Sequence, residues 1–153
     1  MYRLTSTWHL PAAPGTVWDA VERVGDWPRW WPGMASTTVV RPPGPGGEGE
    51  RIHVVVRSPL GYRLAFGVEI LETDPPHRAR ARVVGDLVGV GSWTVEADDA
   101  GCVATIRWHV APARGLLRVL GPVVAGPAAW AHARVMRAGE RGLVTHVTGS
   151  DTR

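Results

Sequence analysis

Among the side chains that could do chemistry, His132 is the best placed. At about 100° per residue, Ala128, His132, Val135, Gly139, Leu143 and His146 fall on one helical face with Met136 at its edge, while Trp130, Arg134, Arg137 and Arg141 fall on the other. An imidazole on an apolar face can act as a general acid or base, or hydrogen-bond a carbonyl or phenol. It can equally be a histidine held by a neighbouring group, and spacing places no carboxylate beside it. His146 shares the face nearer the chain end. Trp27, Trp30 and Trp31 form a second cluster. It suits either the aromatic lining of a pocket mouth or a clamp that packs a short helix onto a sheet, with Arg29 turned to solvent. Cys102 follows a turn and has no histidine placed beside it by spacing, which fits a strand-edge residue better than a nucleophile.

Motifs with a fixed mechanism are missing. The chain has no glycine-rich phosphate loop, no His-x-x-x-His pair, no nucleophile elbow and no paired metal-ligand spacing. Gly85 to Gly91 is glycine-rich but leads into a strand rather than a helix, so it is not a dinucleotide fingerprint. The sequence therefore implies no cofactor and no metal.

Composition narrows the class further. The 153 residues are 44% hydrophobic and 20% charged, as expected for one globular domain with a substantial core. That domain is expected over residues 1–148, with a disordered tail at 149–153. No apolar run approaches the roughly 20 residues of a membrane span. The N-terminus enters an alternating pattern without a signal peptide, and the single cysteine excludes an intrachain disulfide, so a cytoplasmic location is expected. The formal charge is +3, but all 17 basic residues are arginine, scattered among 14 acids. A phosphate-tracking protein clusters its bases on one face, so nucleic acid is not an expected partner.

The elements that would position these residues can be read in order. Tyr2 to Leu10 alternates as a strand and stops at Pro11. Pro14 opens a helix carrying Val17, Trp18, Val21 and Val24, ended by Gly25, and Asp26 is placed to cap a short helix through Trp31. Six strands follow: Ala35 to Arg41, Arg51 to Arg57, Tyr62 to Glu72, Arg78 to Val84, Val88 to Glu96 and Cys102 to Val110. The turns between them are short, apart from a flexible loop from Pro42 to Gly47, so the sheet should be an antiparallel meander to which the first strand adds a seventh. After Pro112 the pattern is helical, broken near Gly121-Pro122 and Gly126-Pro127, then continuous from about Pro127 to about His146.

Alternation assigns the faces. Ile52, Val54, Val56, Leu64, Phe66, Val68, Ile70, Val83, Trp93, Val95, Ile106, Trp108 and Val110 point inwards, with Arg51, Arg57, Arg78, Arg80 and Arg82 pointing out. Several inward positions are small: Ala79, Ala81, Gly89, Gly91, Ala104, Ala128 and Gly139. Close-packed interiors leave little void. So many small residues mean either that the helix sits unusually close to the sheet or that a cavity remains between them, and the tryptophans suit a cavity wall. The lining expected for such a cavity is Trp30, Trp31, Phe66, Val68, Ala81, Gly91, Trp93, Ile106, Trp108, Ala128, His132, Val135 and Met136.

The order strand, two helices, six-stranded meander, long terminal helix resembles the helix-grip fold of the Bet v 1-like/START superfamily. Four stretches resemble its bacterial polyketide cyclase/dehydrase-like branch, the SRPBCC proteins: Ala12 to Trp18, Trp27 to Trp31, Gly85 to Trp93, and Trp108-His109-Val110. A fifth, Met136 to Leu143, lies on the final helix. The resemblance spans nearly the whole chain and implies an α+β fold with a seven-stranded curved sheet wrapped round the last helix over a ligand cavity. Lipid carriers, aromatase/cyclases and hormone-binding proteins share this superfamily. The expected function is binding of a small hydrophobic molecule such as a lipid, aromatic or polyketide-like metabolite. The alternative is a cyclase/dehydrase-type enzyme using the same pocket, with His132 as acid/base.

Overall fold

Strict alternation of apolar and polar side chains makes strands that can bury one face only, and seven of them form one antiparallel sheet. The computed structural model describes residues 2–113 and 125–150, the last stretch with side chains from 129 to 149. The chain runs β1 (Tyr2–Leu10), α1 (Pro14–Glu22), a 3₁₀ turn (Val24–Asp26), α2 (Trp27–Trp30), β2 (Met34–Arg41), β3 (Arg51–Arg57), β4 (Arg63–Asp74), β5 (Arg78–Gly85), β6 (Leu87–Asp98), β7 (Gly101–Pro112) and α3 (Ala125–Ser150). Strands β2 to β7 form the meander, and β1 closes it by pairing with β7 from Tyr2↔Val110 to Leu10↔Cys102. Among the described residues no helix is long and apolar enough to cross a membrane.

The faces follow the alternation. Ile52, Val54, Val56, Phe66, Val68, Val83, Val95, Ala104, Ile106 and Val110 are buried, while Arg51, Arg57, Arg78, Arg80 and Arg82 are exposed. On the outer face Arg51 pairs with Glu69 at 2.7 Å, and Arg80 approaches Glu72 at 3.8 Å. Such exposed pairs add little stability. Pro14 occupies the first turn of α1, where its missing N–H costs nothing. Asp26 precedes α2, but its side chain makes no capping hydrogen bond and instead approaches Arg29 at 3.7 Å.

Helix α3 departs most from the sequence expectation. It continues to Ser150, through two of the residues expected in the tail; residues 151–153, and the expected breaks near Gly121-Pro122, lie outside the described residues. Its buried residues are Ala131, Met136, Gly139, Leu143 and Val147, so Met136 moves from the edge to the centre and Val147 replaces His146. Two glycines set this rotation. A Cβ on Gly139 would lie 2.5 Å from the Trp31 ring and 2.9 Å from Trp8, and a Cβ on Gly142 would collide with the carbonyl oxygen of Trp30. The helix therefore lies directly on the indoles. Two hydrogen bonds fix it there: Trp31 Nε1 donates to the Val135 carbonyl at 2.8 Å, and the His9 amide of β1 donates to the Glu140 carboxylate at 2.8 Å.

This seat has a direct test. Gly139→Ala puts a methyl group where the Trp31 ring already lies, and overpacking of this kind costs about 1–3 kcal/mol. Denaturant titration should show the loss, whereas Gly149→Ala, with nothing within 4 Å of its Cβ position, should be neutral or slightly stabilising.

Candidate ligand-binding site

Small inward residues and close helix packing both occur, in different places. Where α3 meets the sheet, Trp8 and Trp31 fill the gap. Away from that contact, between the sheet, α1, α2 and the β2–β3 loop, a cavity of about 380 Å³ remains. Its floor is the inner face of β3 to β7, with Ile52, Phe66, Val68, Ala81, Trp93 and Ile106 among its residues. Gly91 sits opposite Trp108 on β7, and a Cβ there would lie 2.9 Å from the Trp108 ring, so glycine is what lets that indole lie across β6.

One wall of the cavity is a chain of indoles. Trp8 meets Trp31 edge-on at 5.2 Å and 72°, and meets Trp93 edge-on at 5.6 Å and 83°. Trp31 stacks on Trp30 at 5.4 Å and 17°, and Trp30 stacks in turn on His146 at 6.2 Å. These are the offset and edge-to-face geometries that aromatic quadrupoles favour. Trp27 is tied by its indole N–H to the Val21 carbonyl at 2.8 Å.

The rim is polar. Glu22 at the end of α1, Glu50 before β3, and Pro43, Gly44, Pro45 and Gly47 of the β2–β3 loop frame it together with Thr73. That loop is folded rather than open: the Gly44 amide donates to the Glu48 carbonyl at 2.8 Å, and the Gly49 amide to the Ile70 carbonyl at 2.8 Å. Burial, and secondly the Glu22 carboxylate, push the Glu50 carboxyl above its ordinary range. Among the described residues neither acid has an ion-pair partner.

Of the residues expected at the cavity, the structure brings together Trp30, Trp31, Phe66, Val68, Ala81, Gly91, Trp93, Ile106 and Trp108. It does not bring His132, Val135 or Met136 to the described lining. The reason is steric: the glycine seat presses α3 onto Trp31 and Trp8, so those indoles stand between helix and cavity. The side chain of Ala128 lies outside the described residues. Trp8, Glu22 and Glu50 line the cavity but were not singled out from the sequence. Trp8 had a usable signal, since it shares the inward parity of Leu10 in β1. The two acids had none, because only the tertiary fold brings the end of α1 near the start of β3.

A sequence profile described as "Polyketide cyclase / dehydrase and lipid transport" matches residues 1–148. The chain belongs to this family. Its helix-grip fold, the seven-stranded curved antiparallel sheet with a long C-terminal helix and two short helices after the first strand, recurs in solved structures of the START/Bet v 1-like superfamily. A START superfamily protein from Mycobacterium smegmatis superposes with a TM-score of 0.78 at 12% identity, covering 97% of this chain and 99% of that one. A protein from Thermus thermophilus gives 0.74 at 18% identity, covering 95% and 99%. The Zhui aromatase/cyclase from a Streptomyces species gives 0.73 at 16% identity, covering 96% and 93%. At these identities the likeness is one of fold. No curated protein matches in sequence. For this polyketide cyclase-like chain, the family supports hydrophobic ligand binding or cyclase activity in general terms.

His132 remains chemically informative away from the cavity. Its ring is largely buried, its Nε2 is closed off from solvent with no hydrogen-bond partner among the described residues, and burial lowers its pKa to about 4. Unfolded, the imidazole binds a proton near 6.5; folded, it does so only near 4. The unfolded state thus binds the extra proton between those values, so stability is full above pH 6.5 and falls as pH drops towards 4. Between pH 7 and 4, His132→Phe should lose less stability than the parent, by up to about 3 kcal/mol, in denaturant titrations at each pH. Parallel curves for the two proteins would remove His132 as the cause.

Proposed function

We propose that this chain binds a small, largely apolar molecule in the cavity between its sheet, α1, α2 and the β2–β3 loop. The observation that carries this reading is the cavity itself: about 380 Å³ of space walled by Trp8, Trp30, Trp31 and Trp108 over a floor that includes Ile52, Phe66, Val68, Ala81, Trp93 and Ile106. Sites for small ligands are concave, mostly apolar and of this order of size. Flat rings can stack on such indoles, and a flexible chain can fold among them. Lipids, aromatics and polyketide-like metabolites all fit that description. Native mass spectrometry of protein purified from its own host should show a retained mass. Ala81→Phe, which fills the floor of the cavity, should lower the affinity for that molecule by roughly 10-fold or more with the fold intact by circular dichroism. An unchanged affinity would mean that the molecule binds elsewhere.

A second reading, cyclase/dehydrase-type catalysis in the same cavity, draws its support from Glu50. This rim acid holds its proton more tightly than an ordinary carboxyl, a property that suits a general acid or base. In this reading Glu50, and not His132, meets the bound molecule. Glu50→Gln should then abolish turnover of the identified ligand and leave its binding within about 3-fold, while His132→Ala should leave turnover unchanged. Loss of turnover in His132→Ala alone would reverse the assignment.

A further inference from the structure

The outer face of the sheet carries a second concavity, of about 510 Å³, whose lining is unlike that of the cavity. To it β1 contributes Arg3 and Thr5, β5 contributes Arg80, β6 contributes Ser92, and β7 contributes Arg107 and His109. Alternation turns these side chains to the face opposite the cavity, since the sequence neighbours Ala81, Gly91 and Ile106 line the cavity itself. Arg80 and Ser92 border both spaces, which the single layer of the sheet divides there.

Antiparallel register brings the three arginines together. Arg107 stands opposite Thr5 on one side and Ser92 on the other, and Ser92 stands opposite Arg80. Arg80 and Arg107 therefore flank Ser92 at about 10 Å, two interstrand spacings. Arg3, opposite His109, is the diagonal neighbour of Arg107, about 7–8 Å away. Thr5 and Ser92 are short and the arginines around them are long, so the face is hollow at this point.

The charge in this groove is unbalanced. Among the described residues no acid lines it, and no carboxylate pairs with Arg3 or Arg107. Arg80 has only Glu72, at 3.8 Å between two exposed side chains. Elsewhere on the same face Arg51 and Arg82 share the Glu69 carboxylate. Like charges on neighbouring strands repel, and a bound anion would relieve that repulsion. A carboxylate offers two oxygens and matches one guanidinium fork. A phosphate monoester offers three oxygens and nearly two charges, so it can bridge guanidiniums and still accept from the Thr5 and Ser92 hydroxyls. The volume is that of a small-molecule site, and the flat surface of an acidic protein would rest on its rim without filling it.

We propose that this groove binds the phosphate group of a small phosphate ester, held by Arg3, Arg80 and Arg107. The site is separate from the cavity on the inner face and does not depend on the function proposed for it.

Glycerol 3-phosphate and glycerate, both too polar for the apolar cavity, test it by NMR titration of isotope-labelled protein at constant ionic strength. Glycerol 3-phosphate should give saturable shifts at the Thr5, Ser92 and Arg107 amides and bind about 10-fold or more tightly than glycerate. Arg3→Gln and Arg107→Gln replace exposed side chains that have no carboxylate partner among the described residues, so the fold should be kept. Each should weaken phosphate binding roughly 10-fold. Arg57→Gln, at an exposed arginine of β3 outside the groove, should not. Equal affinities for the two probes in the parent protein, no saturable shift, or undiminished binding in both groove variants would overturn the proposal. Binding of poly-glutamate at the same amides with no response to glycerol 3-phosphate would overturn it in favour of an acidic protein surface. The cavity reading stands or falls apart from all of these outcomes.

Discussion

Two glycines bring helix α3 onto the Trp31 and Trp8 rings and the Trp30 backbone, and the rest of the structure is arranged around that contact. A side chain at Gly139 or Gly142 would occupy space already held by Trp31, Trp8 and the Trp30 carbonyl. The Trp31 indole then donates across the interface to the helix backbone at Val135. A helix that simply rested on the sheet would need large aliphatic residues to fill the layer between them. Here β1 and the loop after α2 contribute the filling, in the form of indoles, and the helix contributes clearance.

The cavity is a consequence of that arrangement. Once Trp8 and Trp31 occupy the layer beneath α3, no described side chain of α3 joins the small residues Ala79, Ala81 and Gly91 of β5 and β6 in the cavity lining. The space they leave is closed instead by α1, α2 and the β2–β3 loop. The same packing keeps His132 out of the described lining and buries its imidazole with no partner for Nε2 among the described residues. One steric decision therefore leaves the most conspicuous histidine outside the described cavity lining and puts Glu50, an acid in a loop of prolines and glycines, at the cavity's rim.

Much of this fold was legible in the sequence because its signals are local. Period-two alternation named the inward residues of β3 to β7, turn chemistry separated the strands, and Pro14 marked the start of α1. The order of elements pointed to the helix-grip fold, and the family match over residues 1–148 agrees with it. The face of α3 was less legible. Helical periodicity averages over a wide arc, and Met136, His132 and His146 sit near one another on that arc. Which of them is buried depends on where the glycines meet the indoles, and a helical wheel contains no information about that.

From the sequence alone one could determine which residues turn inwards and that too few of them are large enough to fill the interior. It thereby posed a choice between close packing and a cavity, since volume is a property of composition. Where the missing volume goes was decided only by tertiary structure. Contacts between β1, α2 and α3 join residues more than a hundred positions apart, as in the Trp31–Val135 and His9–Glu140 bonds. Their steric fit seats Gly139 and Val135 against the indoles and leaves His132 outside the described lining of the void.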